Sequence, residues 1–249
     1  MCGRLAQVLT PAKAAEIFDV AEALPNAAPL YNAPPTSSLM VIRQNPATGR
    51  CHLDMLRWGL IPSRSRDMTV SSSLMNARSE TVASKPSFRG AWKASRRCII
   101  PADAFYEWKR NGDERMPFAV AHRDRSPMAF AGLWENWKDP ADGAWVRSFT
   151  ILTRPAGAPI DSIHHRMPVI LPQEAWKAWL TAGPVPPTIT AELPMPDLVV
   201  WPVSSRVNAV KNTDAGLLDP VSNIDGPSHQ EQRQSPVENG SAELFSTFS

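Results

Sequence analysis

Twenty-five prolines in a chain of 249 residues constrain its folding more than any other feature. Proline fixes φ near −65° and donates no backbone hydrogen bond, so it is tolerated at first helical turns, strand ends and loops but not inside long helices. The chain is left with short segments. Between the prolines lie the apolar or alternating runs SLMVI, HLDMLRWGL, RCIIP, PFAVA, MAFAGLW, SFTILT and MPVILP, whose pattern predicts strands. Two helices are expected. Thr10 and Pro11 open one, with Ala14, Ala15, Ile17 and Phe18 as its apolar stripe, and PQEAWKAWLTAG forms the other, ended by Gly183. No internal repeat, G-x-G-x-x-G or Walker loop interrupts this pattern. The expected fold class is α+β, a single domain built on mainly antiparallel β-sheet, barrel-like, with a few flanking helices.

At 43% hydrophobic the chain can bury one good core. The expected domain covers residues 2–213. The stretch SNIDGPSHQEQRQSPVENGSAELFSTFS is too polar and too rich in Pro, Gly and Ser to pack, which predicts a disordered acidic tail over 220–249. No segment is apolar enough to span a membrane and none resembles a signal peptide, so the expected location is cytoplasmic, nucleoid-associated if the source is bacterial. Cys2, Cys51 and Cys98 form no C-x-x-C pair, which argues against a disulfide framework and against structural zinc. Cys51 and Cys98 read as plain buried residues, and neither metal nor cofactor is expected.

Charge is unevenly distributed. From Arg57 to Arg115 twelve Lys or Arg face six Asp or Glu, a net of +6, whereas from Asp214 onward six acids face Arg233 alone, a net of −5. A basic working surface for a polyanion beside a solvated acidic tail would carry charge in this way, although a single cluster is as readily an ordinary solvated face.

The opening MCGRL raises a chemical question. Aminopeptidases normally remove a Met that precedes a small residue, which would leave Cys2 with a free α-amine of pKa about 7.7–8.0 beside a thiol near about 8.5. Such a pair can capture an aldehyde, the amine forming a Schiff base and the sulfur closing a thiazolidine ring. Alternatively, the thiolate alone can attack an amide. A third reading makes Cys2 inert.

Four blocks carry a resemblance: MCGR at the start, MNARSET at 75–81, PADAFYEWK at 101–109 and SIHHRMPVIL at 162–171. Together with YNAPPT, RWGLIP and VSSRVNAVKN, in this order, they resemble the SRAP family, the SOS response-associated peptidases regarded as abasic-site processing proteins. The resemblance implies a protein that shields abasic sites in single-stranded DNA by covalent attachment of Cys2 to the ring-opened sugar aldehyde, without a membrane and as a monomer. It implies catalytic roles for Cys2, Asn76, Glu107 and His164. Glu107 lies among aromatic and aliphatic residues that would raise its pKa for proton shuttling. His164 could protonate the sugar oxygen or serve in reversal, while Asn76 could hold the Cys2 amine or a sugar hydroxyl. The DNA contacts it implies are Arg4, Asn32, Pro35, Arg78, Thr153 and Arg166. Lys85 and Arg89 extend the basic strip with Phe88 and Trp92 interleaved, a composition that suits single-strand stacking or an amphipathic core segment. Arg64 and Arg66 stand after RWGLIP, where many family members carry a bulky apolar wedge. The strongest rival from another class is an N-terminal nucleophile amidohydrolase, which also begins Cys-Gly. Another is a noncovalent DNA-binding module.

Overall fold

The computed structural model describes residues 2–20, 24–45, 47–184 and 193–221. Met1 and the acidic tail beyond Val221 lie outside the described residues. The strands are β1 (Leu5–Gln7), β2 (Leu30–Ala33), β3 (Ser38–Gln44), β4 (Cys51–Trp58), β5 (Asn76–Arg78), β6 (Arg97–Ala102), β7 (Ala104–Asn111), β8 (Glu114–His122), β9 (Met128–Lys138), β10 (Trp145–Pro155), β11 (Arg166–Pro168) and β12 (Leu198–Pro202). The α-helices are α1 (Pro11–Phe18), α2 (Pro86–Lys93) and α3 (Gln173–Leu180).

Two sheets organise these strands. In the first, β12, β8, β7, β1 and β2 pair side by side and antiparallel. In the second, β4, β3, β6 and β9 follow β10 in order, and β10 also pairs with β9, so five strands close into a ring. This is the expected barrel. Closure brings backbones close: a Cβ on Gly132 would lie 2.8 Å from the Thr150 carbonyl oxygen, so β9 has no room for a side chain there. β5 and β11 flank the ring along β10, β5 parallel and β11 antiparallel.

The continuous apolar runs are explained by burial on both faces. Along β3, Leu39 and Val41 join Leu56, Ile100, Phe149 and Ile151 in one cluster, while Met40 and Ile42 join Phe18, Phe88 and Trp179 under the helices. The first sheet is sewn to the ring by Gln7, whose buried amide donates to the carbonyls of Met40 and Pro101 and accepts from the Met40 N–H. A third cluster on the outer side of the first sheet includes Leu217, so packing continues past the expected boundary at residue 213.

Both expected helices form, though α3 stops at Leu180 rather than running to Gly183. α1 starts as its sequence dictates, with the Thr10 side chain accepting from the Lys13 N–H and Pro11 in the first turn. The helix α2 was missed, and its aromatics do not interleave with its cations. Phe88 is buried and Trp92 packs against the same core, leaving Lys85, Arg89 and Lys93 on the solvent side. Cys98 is buried as expected, whereas Cys51 is only half-buried. Among the described residues no helix is long and apolar enough to cross a membrane.

Candidate active site and nucleic-acid interface

Cys2 lies three residues before the start of β1, the strand between β2 and β7, and is fully buried. Leu5 pairs with Phe105 and Ala6 with Ala104, and the Tyr106 N–H donates to the Arg4 carbonyl at 2.9 Å. Carried two residues further, that antiparallel register sets Glu107 of β7 beside Gly3, next to the nucleophile. The other side comes from the ring. Asn76 on β5 is held against Ile151 of β10, and its amide donates to the Cys2 carbonyl at 2.7 Å. Its side-chain oxygen is buried without a hydrogen-bond partner among the described residues, an acceptor beside Cys2.

Burial dominates the electrostatics. The Cys2 thiol is pushed far above the ordinary cysteine range, first by desolvation and then by the nearby Glu107 carboxylate, so Cys2 rests as a neutral thiol. Desolvation likewise raises Glu107 to about 7, against the pull of the chain's amino terminus. A carboxyl balanced near neutrality can both give and take a proton.

Glu107 is also the link to an open cleft of about 630 Å³ that it shares with Trp108, Lys109, Arg110, Arg115 and His164. His164 follows a short 3₁₀ turn, Ile160–Ser162, and precedes β11. His164 Nδ1 lies 3.0 Å from the Arg166 N–H and 3.1 Å from the Arg166 carbonyl oxygen, so the ring accepts from the first or donates to the second according to its tautomer. Burial lowers its pKa, favouring the neutral imidazole. The His165 ring stacks on it at 4.4 Å between centroids and is exposed.

The residues expected at DNA fall into two groups. Arg78, Lys85 and Arg89 are exposed, and Pro35 is half-buried in the turn after β2. The others are engaged inside the protein. Arg4 Nη1 donates to Asn32 and to the Val207 carbonyl, while the Asn32 amide donates to the carbonyls of Val207, Ala209 and Asn212. Arg166 pairs with Glu80 and donates to the carbonyl of the buried Thr153. Arg64 and Arg66 are exposed in a loop anchored by the Trp137 indole on the Ser65 carbonyl.

Sequence reasoning missed two features. Glu80 neutralises Arg166 from 86 positions away, a pairing that no local pattern signals. Lys109, Arg110 and Arg115, which the sequence shows only as part of a charge sum, line the Glu107 cleft. Arg110 pairs directly opposite Arg115 on the β7–β8 hairpin, a like-charge arrangement that is unfavourable without an anion.

Comparison with known proteins places these features in a wider set. The sequence model of the SOS response associated peptidase (SRAP) family matches residues 1–210. Abasic site processing protein YoqW of Bacillus subtilis is 37% identical over 226 residues, covering 88% of this chain and 99% of its own. Abasic site processing protein YedK of Escherichia coli is 31% identical over 231 residues, covering 89% and 100%. A crystal structure of a Bordetella bronchiseptica protein, 32% identical, superposes with a TM-score of 0.69 over 82% of this chain and 100% of that one.

Proposed function

The chain belongs to the SRAP family, and from that premise we propose that it shields abasic sites in single-stranded DNA through a covalent thiazolidine bond to Cys2. The observation that carries this reading is a chain of neighbours: Asn76 donates to the Cys2 carbonyl, the Glu107 carboxyl acts on the buried Cys2 thiol, and Glu107 shares a cation-lined cleft with His164. Hydrolysis of the Met1–Cys2 bond, an autoprocessing step or the work of an aminopeptidase, frees the amine. The minor imidazolium form of His164 protonates the sugar ring oxygen while the C1 hydroxyl gives its proton to water, and the ring opens to its aldehyde. The Cys2 amine adds to the carbonyl carbon, Glu107 delivers the proton with which water leaves, and a Schiff base forms. The thiol then adds across the C=N bond, sulfur to carbon and proton to nitrogen. The net change after ring opening is the loss of one water.

An amidohydrolase of the N-terminal nucleophile class attacks an amide with its thiolate in the first step, whereas the capture of an aldehyde begins with the amine and needs the sulfur only second. Capture also removes the carbonyl that makes the neighbouring proton acidic, which suppresses strand cleavage by β-elimination. Arg78, Lys85, Arg89 and the Arg110–Arg115 pair serve as phosphate contacts, with Pro35 against the strand. Arg4, Asn32, Thr153 and Arg166 act from behind as positioning residues. The working unit is residues 2–213 with the short packed segment that follows, acting as a monomer in the cytoplasm and at the nucleoid of a bacterial source. The 220–249 tail stands outside it.

The test is intact mass and a denaturing gel after incubation with an oligonucleotide carrying one abasic site. Free protein should lack Met1. The adduct should equal protein plus DNA less one water and should vanish in Cys2→Ala. No adduct from a protein with a free Cys2 would overturn the reading and leave glutaminase activity as the next assay.

A further inference from the structure

The closed ring has a second end. Its interior-facing rows contain Leu39 and Val41 on β3, Leu56 on β4, Cys98 and Ile100 on β6, and Phe149 and Ile151 on β10. Side chains on one strand face alternate by two, so extending each row away from Cys2 reaches the last interior layer. That layer holds Arg43 on β3, Asp54 on β4, Arg96 just before β6 and Arg147 on β10, with Trp134 of β9 opposite Phe149. The apolar interior therefore gives way to charge on four of the five strands. These residues line a cup of about 510 Å³, a size typical of small-molecule sites at barrel mouths.

The cup is cationic and held in place. Arg43 Nε donates to Asp54 at 2.9 Å, and its guanidinium lies 4.3 Å over the Trp134 ring, leaving Nη1 without a partner among the described residues. Arg96 pairs with the buried Glu135 and lies 5.7 Å from the same ring. Behind them Arg97 donates only to neutral carbonyls, those of Trp179, Thr181 and Gly183. Arg147 is exposed and makes no ion pair among the described residues. Among the described residues four guanidinium groups thus face two carboxylates, a surplus of two positive charges on groups whose orientations are largely fixed before any ligand arrives.

We propose that this cup binds a phosphate ester of mononucleotide size. Guanidinium forks match phosphate oxygens in pairs, and a ligand there would meet Arg147 at the rim and Arg43 and Arg96 against the Trp134 wall. The proposal goes beyond the abasic-site reading and does not rest on it, because the cup lies at the end of the ring away from Cys2, Asn76 and Glu107.

The experiment is calorimetric titration of the full chain, in phosphate-free buffer at low salt, with inorganic phosphate and with deoxyadenosine monophosphate. One saturable site is expected, weakened roughly tenfold in Arg147→Gln by loss of a charge-assisted contact and unchanged in Cys2→Ala. Arg43→Gln also breaks the pair with Asp54, so Arg147→Gln, at an exposed position, carries the test. Absence of saturable binding, or equal affinity in Arg147→Gln, would overturn the proposal whatever happens at Cys2. Adding undamaged single strand separates the sources: displacement of the nucleotide assigns the phosphate to a strand, and retention assigns a free nucleotide. Both outcomes uphold the site.

Discussion

Glu107 is an acid kept out of water, and its behaviour with pH follows from that alone. Its folded pKa, raised to about 7, lies above the ordinary carboxylate value of 4.5. The protonated form therefore contributes its full stability below pH 4.5 and loses it progressively as pH rises toward 7. Glu107→Gln should raise Tm by a margin that widens across that window and is level above it. Thermal melts at pH 5 and pH 8 measure the margin, and an equal gain at both would mean that the carboxyl is not held protonated. In the reaction the same ionisation depletes the proton donor, so the adduct rate of the unaltered protein should fall above pH 7, whereas Glu107→Gln should be slower by about 10²-fold or more and lack that limb. At this scale the sequence was readable only where chemistry is local. An amine and a thiol on one residue explain Cys2 without a fold. The roles of Glu107, His164 and Asn76 needed the family blocks. The Glu80 partner of Arg166 and the opposed Arg110 and Arg115 depend on tertiary pairing, which composition does not encode.

Among the elements, the connection after β4 controls where Asn76 sits. Gly59 adopts φ 116°, its N–H donates to the Phe149 carbonyl at 2.8 Å, and an added Cβ would collide with the Ser71 carbonyl. Gly59→Ala should therefore cost about 2–4 kcal/mol in urea denaturation, from backbone strain and overpacking together. Because Ser71 lies in the 3₁₀ segment Thr69–Leu74 that leads into β5, the substitution should also slow adduct formation in the fraction that folds. A variant of normal stability would show that this turn yields easily. Strands with both faces buried were legible as apolar runs. Three- and four-residue strands such as β1, β2 and β5 were not, since three residues cannot display a period. α2 escaped notice because PSFRGAWK carries Gly inside and too few apolar positions for a helical stripe; it is stabilised by the core that Phe88 and Trp92 enter.

For the molecule as a whole, charge is the property that neither residue nor element explains. A net of +6 over Arg57–Arg115 faces a net of −5 from Asp214 onward, an asymmetry that predicts competition between the acidic end and a DNA strand for the basic surface. Removing residues 222–249 should tighten binding of an undamaged single strand severalfold at low salt, and the difference should disappear as screening shortens near 0.3 M salt. Fluorescence anisotropy across a salt series reads this directly, and identical affinities at low salt would exclude the competition. The complete burial of Cys2 has one more consequence. Peroxides and alkylating agents consume exposed thiolates, whereas a neutral sulfur sealed between two sheets is spared. Under the proposed function, each copy would be occupied for as long as its adduct lasts, so capacity would be set by the number of copies with an intact sulfur, which burial protects.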